Sequence, residues 1–370
     1  MTVYLDCAAS SPLDPRIRAA MFEWMELAGN PHATHHHGRA ALGIVDHARE
    51  KAAKALDVDP GEIFFTGGAT ESNNLALSGL IHHGRETGRY HIVTTTIEHS
   101  SVLSALENLE RKGFRITRVH VDESGRVNPL DILDAVQSDT LLVSMMFANN
   151  VTGILQPVRD VGMGLANCPT LFHVDAAQGL AYACPEDFTD VDLLSLSGHK
   201  IYGPQGIGVL IIREQSPLDP LMFGGGQQMS MRPGTIPFVL AGAMGMAVEL
   251  MMEEQAEHRA RCRMFGRNMR SALESLDPVF LGDELYRMRH IGCLAFPGID
   301  AALALEALAP IISISRGSAS ATDFPGPSHV LEAMGLNPEL CDSALRISWS
   351  RQTPEPDWQQ VIDILKGLRQ

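Results

Sequence analysis

The feature that most constrains the fold is an alternation of short apolar runs with helix-like stretches over the first two hundred residues. Seven runs have the length and composition of strands, at 63–66, 91–95, 115–121, 140–147, 170–174, 193–197 and 208–212. Strands that alternate with helices predict an α/β fold with a mainly parallel, helix-covered sheet. Ligands of such sheets bind outside the carboxyl ends of the strands, so the residues that follow each strand are the informative ones.

Length and composition bound the number of domains and the possible partners. A chain of 370 residues with 45% apolar and 20% charged residues is not disordered, and it predicts two domains. A helical stretch from 237 to about 276 leads from one domain to the other. We expect a large domain at 14–255 and a small domain formed by 1–13 and 256–370. The formal charge of −15 argues against direct electrostatic binding of nucleic acid.

The cellular compartment is predicted from what the sequence lacks. No apolar run approaches the roughly 20 residues needed to cross a bilayer, and the N-terminus does not resemble a signal peptide. The six cysteines form no C-x-x-C pair, which is typical of free thiols in a reducing compartment. We therefore expect a cytoplasmic protein without a membrane partner.

Several polar motifs follow the predicted strands. Gly67-Gly68-Ala69-Thr70 opens a helix and is suited to binding an anion, although an ordinary strand–helix turn has a similar composition. His99 and the pair Asn149-Asn150 follow two other strands. Each is a weak signal by itself, because single histidines are usually structural and Asn pairs usually mark turns.

Two charged residues at strand ends make the pattern specific. Asp175 closes an apolar strand, where a carboxylate needs a positive partner such as a protonated pyridine nitrogen. Lys200 follows the next strand among small residues, where burial lowers the pKa of an amine and makes it nucleophilic. An anion site, an acid for a ring nitrogen and an amine for an aldehyde together match pyridoxal 5′-phosphate.

These motifs resemble cysteine desulfurases of the NifS/IscS type, which are class V aminotransferases of the pyridoxal-phosphate fold type I, the aspartate-aminotransferase fold. The similarity extends over nearly the whole chain. Its most specific motif is the run from Ser197 to Pro204, with further matches at 4–9, 68–72, 173–176, 231–235 and 346–348. The resemblance implies a seven-stranded sheet in the large domain. It also implies a smaller α+β domain that carries an active-site loop near 315–328.

The resemblance also implies a role for each matching position. Lys200 would attach to the cofactor, Asp175 would face the ring nitrogen, and His99 would stack on the ring and help with proton transfer. The other positions would contact the ring (Gln178 and Asn150), the phosphate (Ala69, Thr70, Ser197, His199 and the partner subunit's Thr235) or the substrate carboxylate (Arg346 and Asn30). The active unit would be a homodimer.

The implied reaction converts L-cysteine to L-alanine. A loop cysteine would take the sulfur as a persulfide and pass it to an acceptor protein. The shared motifs do not distinguish acceptors for iron–sulfur cluster assembly, tRNA thiolation or DNA phosphorothioation. Alternatives are another fold type I reaction (selenocysteine lyase or aminotransferase) or a catalytically silent docking protein for sulfur transfer.

One position departs from the family pattern. Ser320 stands where the family has its loop cysteine, and a hydroxyl is a far poorer nucleophile toward sulfur than a thiolate. We predict that this chain binds cofactor and cysteine but forms no persulfide at residue 320. An engineered change and a natural alteration both explain the serine, and the otherwise intact motifs favour the first. Cys7 and Cys341 are conceivable substitutes, but both lie in core-like segments.

A metal site is not expected. His32, His35, His36 and His37 are clustered, but their spacing does not put three ligands on one face, and no cysteine or carboxylate completes a set.

Overall fold

The computed structural model describes residues 2–316 and 328–369. The strands within this part are β1 (Val3–Tyr4), β2 (Ile63–Thr66), β3 (His91–Thr95), β4 (Arg115–Val119), β5 (Thr140–Met146), β6 (Leu171–Asp175), β7 (Leu193–Ser197), β8 (Gly208–Ile212), β9 (Val279–Phe280), β10 (Ile291–Ala295), β11 (Ile312–Ser313) and β12 (Ala344–Ser348). The helices are α1 (Pro15–Met25), α2 (His36–Leu56), α3 (Ala69–Ser78), α4 (Ile81–Thr87), α5 (Ser100–Arg111), α6 (Pro129–Asp134), α7 (Val158–Leu165), α8 (Phe238–Glu253), α9 (Gln255–Leu273), α10 (Ala301–Leu308), α11 (His329–Ala333), α12 (Pro338–Asp342) and α13 (Trp358–Leu368).

The principal sheet has seven strands in the order β2-β8-β7-β6-β5-β3-β4. Neighbours from β7 to β4 pair in parallel, whereas β8 is antiparallel to both β7 and β2. The predicted α/β fold with a mainly parallel seven-stranded sheet is therefore confirmed. The antiparallel β8 places its first residue, Gly208, between the last residues of β2 and β7, which are Thr66 and Ser197. Three chain segments thus meet at the edge of the sheet where ligands are expected.

The C-terminal part of the chain forms a smaller antiparallel sheet, β12-β10-β9. One cluster of buried apolar side chains contains only residues before 14 or after 255, among them Leu5, Cys262, Phe296 and Leu365. Other residues of this part, such as Ile291, pack with the large sheet instead. From this clustering we propose that the described residues of 1–13 and 256–370 form a small domain.

The predicted helical stretch from 237 to 276 is two helices, α8 and α9, that meet at Glu254. The Glu254 side chain accepts hydrogen bonds from Arg16 and Arg351, which come from opposite ends of the chain. The boundary between the two helices thus coincides with tertiary ion pairs that the local sequence does not reveal. No helix in the described part of the chain is long and apolar enough to cross a membrane.

Candidate active site

A cavity of about 690 Å³ opens at the carboxyl ends of the central strands. Nine of the residues predicted for the site line it, namely Ala69, Thr70, His99, Asn150, Asp175, Gln178, Ser197, His199 and Lys200. These residues are far apart in the sequence, and the sheet brings them together because each follows or ends one of its strands.

One end of the cavity is formed by the start of α3. The preceding residue, Gly68, has φ 147° and ψ 174°, which L side chains rarely adopt, and no side chain caps the helix. The first N–H groups of α3 therefore point toward the cavity end where Ala69 and Thr70 lie, an arrangement that favours an anion. A Cβ at Gly208 would lie 2.7 Å from backbone atoms of Gly68, so this close approach requires glycine.

Lys200 lies in the short turn after β7. Its Nζ donates hydrogen bonds to the carbonyl oxygens of Ala8, at 2.6 Å, and Ala9, at 2.9 Å. Burial and, next to it, the positive charge of Arg346 lower the pKa of Lys200 to about 8, against the opposing carboxylates of Asp6 and Asp175. A substantial fraction of this amine is therefore neutral, and nucleophilic, near physiological pH.

Asp175 ends β6 and is 5% exposed. Its Oδ1 accepts from the backbone N–H of Ala177 at 2.9 Å, and its Oδ2 accepts from Nδ2 of Asn73 at 2.7 Å. Two fixed donors set the orientation of the carboxylate. Asn73 lies on the buried face of α3 and was not predicted for the site, although a fully buried Asn among Leu75, Ala76 and Leu77 is itself a signal.

His99 precedes α5 and caps it. Nδ1 accepts from the backbone N–H of Ser101 at 3.2 Å and lies 2.9 Å from the Ser101 hydroxyl. Burial lowers the pKa of His99, and the charges of Lys200 and His329 act in the same direction, against Asp175. The ring is therefore neutral at physiological pH.

Two further residues of the cavity, Gln178 and His199, contact the N-terminal segment, residues 6–11. Nε2 of Gln178 donates to the Ala8 carbonyl at 2.7 Å, which is also an acceptor for Lys200. Nδ1 of His199 lies 3.3 Å from the Ser10 hydroxyl, and burial lowers the pKa of His199 to about 4. The N-terminal segment is thus part of the wall behind the lysine.

Arg346 does not line the cavity but lies behind it. Its side chain is 1% exposed, Nη2 pairs with Oδ1 of Asp6 at 2.7 Å, and Nη1 donates to the Asn150 carbonyl at 2.9 Å. Asn30 and Thr235, two further predicted site residues, are exposed and lie outside the lining of this single chain. Oδ1 of Asn30 accepts from the backbone N–H of His32.

Ser320 lies outside the described residues. The two cysteines considered as substitutes are both buried. Burial raises the pKa of the Cys7 thiol to about 12 and also raises that of Cys341. Raised thiol pKa values disfavour the thiolate, so neither cysteine has the chemistry of a sulfur nucleophile.

Glu98, beside His99, is a buried acid that the sequence analysis did not single out. It is fully buried, and Oε1 accepts from the Thr95 hydroxyl at 2.5 Å and from the backbone N–H of Met146 at 3.1 Å. Burial raises its pKa to about 8, so Glu98 is mostly protonated at neutral pH.

The clustered histidines at 32–37 are not part of any group in the described chain that could hold a metal ion. His35 instead caps α2.

Comparison with known proteins places the chain in a family. Residues 3–361 match the aminotransferase class-V family. A cysteine desulfurase of Rattus norvegicus is 37% identical over the whole of this chain and 84% of the relative. A solved NifS-like protein superposes with a TM-score of 0.90 at 34% identity, covering 100% of this chain and 98% of the other. The structure of SspA in complex with cysteine gives a TM-score of 0.84 at 33% identity, covering 95% of this chain and all of the other.

The chain belongs to the class V aminotransferase family. Its cofactor is pyridoxal 5′-phosphate, and the residues of the cavity fit that molecule. The uncapped start of α3 suits the phosphate, the fixed Asp175 carboxylate suits a protonated ring nitrogen, and the Lys200 amine suits the aldehyde.

Proposed function

We propose that this chain is a cysteine desulfurase whose sulfur-accepting cysteine is replaced by Ser320. The observation that carries the proposal is the Lys200 amine, with its pKa of about 8, in one cavity with the oriented Asp175 carboxylate. Support comes from relatives named cysteine desulfurase that match the whole chain and from the solved relative SspA in complex with cysteine.

Bound pyridoxal 5′-phosphate supplies a ring that withdraws electrons from the Cα of an amino acid. The chain's own residues orient the reactants around it. Asp175 holds a proton at the ring nitrogen, Lys200 provides the attaching amine and a proton acceptor, and the start of α3 binds the phosphate. Arg346 binds the substrate carboxylate, with Asn30 assisting, after Nη2 exchanges the Asp6 carboxylate for that of L-cysteine.

The remaining step requires a thiolate. With a cysteine at position 320, the sulfur of L-cysteine would be transferred to the thiolate of that cysteine and L-alanine would be released. The resulting persulfide would then be passed to an acceptor protein. The Ser320 hydroxyl does not perform this transfer. We therefore propose that the chain binds cofactor and L-cysteine but stops before sulfur transfer. A homodimer, in which the partner subunit's Thr235 reaches the phosphate, and a cytoplasmic location belong to the same proposal.

The test is the Ser320→Cys variant, assayed for alanine and sulfide from L-cysteine in the presence of a reductant. We expect both products from the variant and neither from the parent chain, while both proteins show the visible absorbance of bound cofactor. Lys200→Ala in the same background is the matched control and should lose both products.

Each alternative gives a different result in the same assay. A Ser320→Cys protein that holds cofactor but makes neither product excludes a desulfurase. If selenocysteine alone yields alanine, the chain is a selenocysteine lyase. Loss of the cofactor's visible absorbance on adding an amino donor indicates an aminotransferase, and no spectral change with any amino acid indicates a docking protein.

A further inference from the structure

Three hydrogen bonds connect Asp175 to His99 beneath the cavity. Nδ2 of Asn73 lies 2.7 Å from Oδ2 of Asp175 and 2.9 Å from Oγ of Ser101. Oγ of Ser101 lies 2.9 Å from Nδ1 of His99. Asn73 is fully buried and Ser101 is 8% exposed, so water does not readily replace either side chain as a partner. Neither Asn73 nor Ser101 was predicted for the site from the sequence.

In the hydrogen bond between Ser101 and His99, a backbone group determines which atom is the acceptor. The backbone N–H of Ser101 can only donate, and it points at Nδ1 of His99 at 3.2 Å. Nδ1 therefore carries a lone pair and no proton. It follows that the Ser101 hydroxyl also donates to Nδ1, and that its oxygen is left to accept from another group.

The Asn73 amide supplies that group. A carboxylate can only accept, so the side of the Asn73 amide that faces Asp175 is the NH₂ group. Its second N–H then donates to Oγ of Ser101. The amide oxygen, Oδ1, is buried and has no hydrogen-bond partner among the described residues. Because this buried oxygen accepts no hydrogen bond from the described residues, the orientation of the amide is set by the contacts of its NH₂ group with Asp175 and Ser101.

We propose that Asn73 and Ser101 are positioning residues that hold His99 as the neutral tautomer with its proton on Nε2, so that His99 serves the cavity as an N–H donor and not as a base. This inference rests on the proposed function only for the identity of the reaction. It differs from the expectation that His99 helps with proton transfer.

The surroundings of His99 work in the same direction. Protonation would place a hydrogen on Nδ1, where it would face the backbone N–H of Ser101, a group that can only donate. Lys200 and His329 add unfavourable positive charge, whereas the negative charge of Asp175 favours the imidazolium. Lys200, which also lines the cavity, is the better candidate for moving a proton at neutral pH.

The direct test is ¹⁵N NMR of the cofactor-loaded protein labelled at histidine, with the His99 signals assigned from a His99→Gln sample. We expect Nδ1 to give an acceptor-type shift and Nε2 a protonated one across about pH 6 to 9, a range that brackets the ordinary histidine pKa of about 6.5. A His99 proton on Nδ1, or titration to imidazolium within this range, would overturn the proposal. This measurement gives the same information whether or not the protein makes sulfide.

Variants separate positioning from simple packing. Ser101→Ala keeps the backbone N–H but removes the hydroxyl donor, so Nδ1 should stay unprotonated while its ¹⁵N signal shifts toward that of a weaker hydrogen-bond acceptor. Ser101→Thr should restore the parent spectrum, and Asn73→Ala should shift the Nδ1 signal as well. Ser104→Ala, at an exposed position of the same helix, is the matched control and should leave the His99 signals unchanged. Unchanged His99 signals in both Ser101→Ala and Asn73→Ala would contradict the role of the network.

Kinetics in the Ser320→Cys background give a second readout. Glutamine offers an N–H donor but no base, so His99→Gln should keep activity within about tenfold of its parent, with the same pH profile, whereas His99→Leu should lose more. If His99 were the base, both substitutions would cost the roughly 10²–10⁴-fold typical of such a group. Equal losses of that size in the two variants would overturn the donor role.

Discussion

Arg346 and Asp6 lie 340 positions apart in the sequence, yet Nη2 of the arginine is 2.7 Å from Oδ1 of the aspartate. The arginine is 1% exposed and the aspartate 19% exposed, so the pair is largely shielded from solvent. In this arrangement the Asp6 carboxylate occupies the place that we propose for the substrate carboxylate. The ion pair holds the guanidinium in position before the substrate arrives.

Replacing Asp6 by Asn should destabilise the protein, because a buried guanidinium loses a charged partner. We expect the free energy of unfolding to fall by about 2 kcal/mol, the scale of a hydrogen bond to a charged group. Urea unfolding followed by circular dichroism measures this change. Asp139→Asn, which removes an exposed ion pair with Arg115, is the control and should cost less than about 1 kcal/mol. Equal losses in the free energy of unfolding would show that the Asp6–Arg346 pair stabilises the protein no more than an exposed ion pair does.

Attachment of the cofactor to the cofactor-free protein should depend on pH through Lys200. The neutral amine is the nucleophile, so the attachment rate should rise with pH and level off above a midpoint near 8, the pKa to which burial lowers this lysine. The rate of appearance of the visible absorbance measures it. Because the charge of Arg346 lowers this pKa and that of Asp6 raises it, Arg346→Gln should move the midpoint up and Asp6→Asn should move it down. Shifts of the same sign in both variants would contradict this electrostatic account.

The buried acid Glu98 should make stability fall as pH rises. Its pKa is about 8 in the folded protein and 4.5 as the ordinary reference value, so the folded state binds more protons between these values. The stabilisation that this difference provides is complete below about 4.5 and is lost as pH rises through about 8. Glu98→Gln removes the titrating group. The free energy of unfolding of the variant minus that of the parent should therefore increase from pH 5 toward pH 9. A difference that does not vary with pH would show that Glu98 stays ionised in the folded protein.

Gly208→Ala should weaken cofactor binding. The added Cβ would lie 2.7 Å from backbone atoms of Gly68 and from the Leu196 carbonyl, none of which can move as a flexible side chain does. We expect a loss of about 1–3 kcal/mol in stability, typical of overpacking, together with a raised dissociation constant for pyridoxal 5′-phosphate. Fluorescence titration and thermal unfolding measure the two effects. Gly367→Ala, where a Cβ would meet nothing within 4 Å, should leave the cofactor affinity unchanged. Unaltered affinity in Gly208→Ala would mean that the start of α3 is not the phosphate site.

Much of the sheet could be predicted because its strands are short, apolar and bounded by polar residues. The expected runs at 63–66, 91–95, 193–197 and 208–212 are the observed β2, β3, β7 and β8. The sequence did not indicate that β8 is antiparallel, because a strand buried on both faces is a continuous apolar run whichever direction it takes in the sheet. The run at 115–121 ends early, at Val119.

The site was predictable where chemistry requires an unusual residue at a strand end, as for Asp175 and Lys200. It was not predictable where a side chain acts through another. Asn73 and Ser101 lie on helices among ordinary helix residues, and only their distances to Asp175 and His99 single them out. Likewise, no local pattern connects Asp6 with Arg346, since their pairing depends on the bridge that places Asp6 beside Ser348, the last residue of β12.

The contacts of the N-terminal segment have a consequence for synthesis on the ribosome. Lysine 200 rests on carbonyls contributed by the first ten residues, and the guanidinium behind it comes from the final strand. Every residue that lines the cavity has therefore been synthesised before Arg346, whereas the Asp6–Arg346 ion pair forms only after the last strand has left the ribosome.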